Sequence, residues 1–302
     1  MEIQKNILLF FSSHLINILD SLFEFFTMFG EETIIIAIIV FVYWNVNKKK
    51  GMSICSSLLI ASNIMGIVKA IVRFPRPWVL VPELKSLRVS TATGYSFPSG
   101  HVTCASSSYT TAAMSFKKRW ISIISATLIV LVAFSRMYLC VHWPLDVAGG
   151  LVLGCGVSFT FFNVLNNLYD NKEKGIKYAF IFGAICEIVA FVMSVLLLNQ
   201  GIDSNAFLDL AKSLAIAGGA FIGYGLERKV CDFDATVGSI KIKVLRYIVG
   251  FIGVVFFFVL SKEIMKAIGI YNDITSVLRY FITGLWAIGV FPIIGKKFGL
   301  FK

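Results

Sequence analysis

Nine apolar stretches, most of them as long as a bilayer is thick, divide this chain and leave it few folds to choose from. They lie near residues 32–47, 52–73, 99–116, 120–140, 145–168, 177–199, 207–226, 245–263 and 275–294. About 17–25 apolar residues in a helix span a hydrocarbon core, and a helix satisfies its own backbone polar groups there. Of the 302 residues 57% are hydrophobic and 15% charged, with a mean hydropathy of +0.82. A soluble domain carries about 25% charge. The pattern predicts an all-α integral membrane protein of about nine transmembrane helices. The first stretch is short, and it is counted because only nine spans let the basic clusters alternate correctly.

Those clusters give the orientation. Seventeen of the 28 Lys and Arg residues fall at Lys48–Lys50, Lys117–Arg119, Lys172/Lys174/Lys177, the Arg228–Arg246 stretch and Lys296/Lys297/Lys302. With nine spans and the N-terminal segment outside, all five clusters lie on one side, cytoplasmic by the positive-inside rule. The net charge of +11 therefore sits in loops and not along one face, which argues against a nucleic-acid partner. Residues 7–29 read as one helix, with Ser13, Asn17, Asp20, Glu24 and Thr27 forming a polar stripe. Such a helix suits the membrane interface. It holds acids and His14, unlike a cleavable signal peptide, and His14 reads as a surface histidine. The six cysteines show no Cys-x-x-Cys spacing and behave as small hydrophobes. With only three histidines in the chain, no metal site is expected.

Three short patterns carry the chemistry. They are Lys69-x6-Arg76-Pro77, Pro98-Ser99-Gly100-His101 and Ser135-Arg136-x5-His142-x3-Asp146. Each alone has a plain reading: a snorkelling lysine, a helix-capping turn, an aspartate at a helix start. Together they supply three cations, two imidazoles and one carboxylate. That set suits phosphoryl transfer without a metal: cations on the phosphoryl oxygens, one His attacking, the other protonating the leaving group, and the Asp orienting the attacker. Pro75 and Pro77 must turn the chain after Lys69, and Ser99 opens a helix whose free N–H groups favour an anion. Asp146 follows His142 by one helical turn and can accept from its imidazole. The loop 74–98, the turn 137–144 and the span starts at Ser99 and Leu145 all fall on the face opposite the basic clusters. Trp78, Tyr95, Phe97 and Trp143 flank the patterns and read as interfacial aromatics.

The three patterns, in this order, resemble those of the type 2 phosphatidic acid phosphatase superfamily, which includes lipid phosphate phosphatases, glucose-6-phosphatase and the vanadium haloperoxidases. The resemblance covers Trp44 to Leu168. It implies that His142 is the nucleophile, His101 the general acid and Asp146 the partner of His142. Phosphate binding falls to Lys69, Arg76, Ser99, Gly100 and Arg136, with neither metal nor other cofactor. The implied division is an interfacial helix at 1–30, a catalytic core at 31–170 and a C-terminal transmembrane extension at 171–302. The extension's expected roles are packing, homodimer formation or shaping of the lipid path. The expected activity is hydrolysis of a lipid phosphate or diphosphate, taken from the bilayer, through a phosphohistidine on the extracytoplasmic face. Polyisoprenyl diphosphate, phosphatidic acid and phosphatidylglycerol phosphate are the substrates weighed. The alternatives are a soluble sugar phosphate, as for glucose-6-phosphatase, and a phospholipid transporter or binder without turnover.

Overall fold

Prolines, glycines and polar pairs punctuate the apolar runs, and the helices begin and end at them. The computed structural model describes residues 1–301, so that Lys302 of the last basic cluster lies outside the described residues. These residues are helical apart from short connections and form two compact units, 1–36 with 53–162 and 37–52 with 163–302.

The first unit contains α1 (Glu2–Ser13), α2 (Asn17–Met28), the start of α3 (Glu32–Asn45) and most of α4 (Lys48–Val72). It continues with the short α5 (Pro77–Leu80), α6 (Gly100–Phe116), α7 (Arg119–Tyr138) and most of α8 (Pro144–Asp170). Its core joins Val102, Ala105 and Tyr109 of α6 to Val132 and Ala133 of α7 and Val147 of α8. Although α6 is rich in hydroxyls, Thr103, Ser106, Ser107, Ser108 and Thr111 are all buried. Most of those hydroxyls bond locally or to α8: Ser106 Oγ donates to Val102 O (2.6 Å) and Gly150 O (3.1 Å), and Thr111 Oγ1 donates to Ser158 Oγ (3.0 Å). Paired in this way, polar groups tolerate burial. Gly150 and Gly154 let α8 approach closely, since a Cβ at Gly154 would collide with Ser106 Oγ and lie 2.6 Å from Thr103 O.

The second unit contains α9 (Lys172–Leu198), α10 (Ser204–Val230), α11 (Ile240–Val255), α12 (Ser261–Ala267), α13 (Asp273–Leu285) and α14 (Phe291–Lys297). Single π-helical turns at Phe256–Leu260 and Trp286–Val290 join α11 to α12 and α13 to α14. Small residues seat α10 against α9 and α13: Ala190, Ala211, Ala215 and Val277 pack together, and a Cβ at Gly219 would strike Phe281 O. The outer side of α9 exposes Ile181, Phe182, Ile185, Ile188 and Phe191, an apolar face suited to lipid. Buried Lys48 bonds to buried Glu227 (2.7 Å) and to Asp232 (2.8 Å), and Lys172 bonds to Asp232 (2.7 Å).

The protein is thus an all-helical integral membrane protein. Among the described residues, seven helical stretches are long and apolar enough to cross a bilayer, and an eighth results if α2 and α3, bent by 46° at their junction, count as one broken span. These seven coincide with seven of the nine expected spans. The expected span 32–47 is α3, which has 14 residues and needs α2 to reach bilayer length. The expected span 99–116 is α6, whose 17 residues are short and polar because it is an inner helix. The single helix expected over 7–29 is instead α1 and α2. Ser13 Oγ and His14 Nδ1 both bond to Phe10 O (2.9 and 2.8 Å), closing α1, and Ile16 is extended. The polar stripe is used within the unit: Tyr138 donates to Asp20 Oδ1 (2.7 Å), and Thr27 is fully buried. His14 is exposed, as expected.

Candidate active site

The site is assembled from helix ends and the loops that prolines force between them. Lys69 lies in the last turn of α4, and Arg76 immediately precedes Pro77, which starts α5. Ser99 is the residue before α6, Arg136 lies in the last turn of α7, and Asp146 lies in the first turn of α8. All eight expected site residues fall in the first unit. All but Lys69, Gly100 and His101 are buried to 5% exposure or less, and those three are half-buried.

His142 is the hub. Its Nδ1 lies 3.3 Å from Asp146 Oδ2 and its Nε2 lies 2.8 Å from Arg76 Nη1. The carboxylate can only accept and the guanidinium can only donate. The proton of His142 is therefore assigned to Nδ1, and the Nε2 lone pair receives an Arg76 N–H. Burial, with the charges of Arg76, Arg136 and Lys69 and the neighbouring His101, holds the His142 imidazole well below its usual value of 6.5. It is neutral at pH 7, the form in which an imidazole can act as a nucleophile.

Asp146 Oδ2 is held by two further donors, Ser96 Oγ (2.5 Å) and Trp143 N (2.8 Å). The Asp146 carbonyl accepts from Ser99 N (2.9 Å) and so locks the second pattern to the third. Backbone carbonyls of the loops before α6 and α8 hold the cations: Lys69 Nζ donates to Tyr95 O (2.8 Å), and Arg76 donates to Gly94 O (3.1 Å), Thr93 O and Val141 O (3.1 Å).

Arg136 is the exception. It is wholly buried and gives one bond, Nη1 to Thr27 Oγ1 (2.8 Å), while its Nε and Nη2 have no partner. Ser99 Oγ and His101 Nε2 are likewise buried without a partner. Ser99 makes no side-chain cap to its helix, although capping was one expectation for it. Buried donors left unbonded are costly. Two residues of the expected phosphate site, Ser99 and Arg136, and the expected general acid His101 thus present unbonded polar atoms, which is the arrangement an oxyanion would satisfy.

Sequence reasoning missed four contributors. Ser96 holds Asp146, and nothing in its position between the first two patterns distinguishes it. Thr27, Gly30 and Glu31 come from the junction of α2 and α3. Thr27 bonds to Arg136, and a Cβ at Gly30 would lie 2.9 Å from His101 Cβ. Their only signal was the polar stripe that ends at Thr27. Trp143 was expected at the membrane interface; it is fully buried, packs with Leu8, Val81, Leu84 and Cys140, and donates to Pro75 O (3.1 Å). Trp78 is half-buried and lies under the Arg76 guanidinium (5.6 Å).

The fold and the site together define a helical membrane protein with a buried cluster of cations, two imidazoles and a carboxylate. The comparisons with known proteins agree. A family model described as the PAP2 superfamily matches residues 50–170, and one described as the PAP2 superfamily phosphatase transmembrane extension matches residues 211–302. An undecaprenyl-diphosphatase of Sulfolobus acidocaldarius is 32% identical over 142 residues, covering 47% of this chain and 68% of its own length. The undecaprenyl-diphosphatase BcrC of Bacillus subtilis is 31% identical over 160 residues, covering 50% of this chain and 77% of its own. Sphingosine-1-phosphate phosphatase 1 of Rattus norvegicus is 24% identical over 266 residues, covering 82% of this chain and 60% of its own. The chain belongs to the PAP2 superfamily.

Proposed function

We propose that the protein is a membrane lipid phosphate phosphatase, acting on a polyisoprenyl or similar lipid diphosphate or monophosphate through a phosphohistidine on His142. The observation that carries the reading is the set of buried, unbonded polar atoms on Ser99, His101 and Arg136 beside a neutral His142. Family membership supports it, as do the relatives named for undecaprenyl diphosphate and sphingosine 1-phosphate.

In this mechanism Lys69, Arg76, Arg136 and Ser99 take the equatorial phosphoryl oxygens, and Gly100 leaves room for the backbone to approach. Arg76 moves from His142 Nε2 to the phosphate and frees the lone pair. Nε2 attacks phosphorus in line while the bond to the leaving oxygen breaks, and His101 gives that oxygen its proton. Asp146 holds Nδ1–H and offsets the positive charge that develops on the imidazole. Water, deprotonated by His101, then attacks the phosphohistidine and releases phosphate and His142.

The site faces away from the cytoplasm in this reading. Along α6, α7 and α8 the site residues occupy one end, and Lys117, Arg119 and the turn before Lys172 occupy the other, as the positive-inside rule requires. A site at helix ends meets a lipid headgroup without lifting its tails from the bilayer.

The test is phosphate release by detergent-purified protein in EDTA. Farnesyl diphosphate, phosphatidic acid, phosphatidylglycerol phosphate and glucose 6-phosphate form the panel, with His142→Ala as control. Release from a lipid, inhibited by vanadate and abolished in the variant, is expected. Preference for glucose 6-phosphate, or no release from any substrate, refutes the proposal.

A further inference from the structure

Arg88 stands outside all three patterns, in the loop between the first and the second. Its backbone is left-handed (φ 55°), and its Nη2 bonds to Glu31 Oε1 at 2.6 Å while Nη1 donates to Glu24 O at 3.1 Å. These contacts use two of the five N–H donors a guanidinium carries. Its side chain is 22% exposed.

The junction of α2 and α3 puts this cation at the site. Thr27 bonds to Arg136, Gly30 abuts His101, and Glu31 grips Arg88. Accordingly the charge of Arg88 is among those that bear on His101, with those of Arg136, Arg76 and Lys69.

His101 marks where the leaving group departs. When His142 attacks the terminal phosphorus of a lipid diphosphate, the Nε2–P bond forms and the bond from phosphorus to the bridging oxygen breaks. The electron pair stays on the bridging oxygen, which leaves as part of a lipid monophosphate and accepts the His101 proton. That leaving group is an anion. A lipid monophosphate instead releases a neutral alcohol, for which a further cation beside His101 has no use.

We propose that Arg88, tethered by Glu31, forms a second phosphate subsite that holds the departing phosphate of a lipid diphosphate and so favours diphosphates over monophosphates. The proposal rests on the phosphatase reading above.

The experiment compares kcat/KM for farnesyl diphosphate and farnesyl monophosphate in the same micelles. Arg88→Gln is expected to lower the diphosphate-to-monophosphate ratio by about 10- to 100-fold, the size of one charge-assisted hydrogen bond. Arg88→Lys, which keeps the charge, is expected to retain most of the ratio. A ratio unchanged in Arg88→Gln, with both substrates impaired alike or neither, overturns the subsite. A measurement on the unaltered protein stands beside it, in case the variant does not fold. A non-hydrolysable farnesyl bisphosphonate should inhibit at least about tenfold more tightly than farnesyl phosphonate, and equal inhibition overturns the proposal. Release that survives His142→Ala strikes instead at the phosphatase mechanism, so the two failures are told apart.

Discussion

Replacing Asp146 by Asn isolates the carboxylate's charge from its geometry. One oxygen, Oδ2, receives His142 Nδ1 (3.3 Å), Ser96 Oγ (2.5 Å) and Trp143 N (2.8 Å), so an amide carbonyl in its place can accept the same three donors. The imidazole keeps its tautomer, and what disappears is a negative charge 3.3 Å from a ring that becomes positive on phosphorylation. At an effective dielectric constant of ~20, unit charges at that separation attract by ~5 kcal/mol. The difference between a charged and a neutral hydrogen bond sets a lower figure of ~1 kcal/mol. The chemical step is therefore expected to slow by between about 5-fold and a few thousand-fold, with KM little changed because Asp146 does not touch the phosphate. Rapid-quench single turnover with a radiolabelled lipid phosphate reads the phosphohistidine step directly. A single-turnover rate within about twofold of the unaltered protein, or a loss confined to KM, refutes the assignment of Asp146 to His142.

The depressed pKa of His142 predicts no acid limb in kcat/KM between pH 7.5 and 6.5, because the imidazole stays neutral there; an acid limb centred at 6.5 or above contradicts it. The same group sets a stability window. Below about 6.5 the unfolded chain takes up a proton at this histidine that the folded one refuses, so thermal stability should fall as pH drops through that value and His142→Asn should blunt the fall. Gly154→Val should force α6 from α8, lowering stability by about 1–3 kcal/mol and loosening His101 relative to His142, read as coupled losses of melting temperature and turnover. Glu227→Gln leaves buried Lys48 with Asp232 alone, and should cost up to about 3 kcal/mol, the lower end for breaking a buried pair.

The apolar runs made the helical class legible, because a membrane helix demands apolar residues over bilayer length, and the Lys, Arg, His and Asp patterns picked out eight positions that the fold gathers in the first unit. The sequence reads poorly where a residue's neighbour comes from a distant segment. The length of α6 and its rows of Ser and Thr make sense only once α8 lies against it, with Gly150 O and Ser158 as partners. The break at His14 depends on two side chains folding back to Phe10 O, and Trp143 is buried because Leu8 and Val81 reach it. Ser96 and Glu31 carry no periodic signal at all, since each matters through contacts made across the unit.

The hydrogen bond from Arg76 to His142 Nε2 has a consequence for how the protein meets chemicals other than its substrate. An uncharged electrophile, such as an acylating or carbethoxylating reagent, offers nothing to draw the guanidinium aside and finds the imidazole already engaged. A molecule bearing anionic oxygens supplies the replacement partner itself. Under the proposed mechanism the site therefore sorts electrophiles by charge before it sorts them by shape, and His142 is unmasked by the group it is to attack.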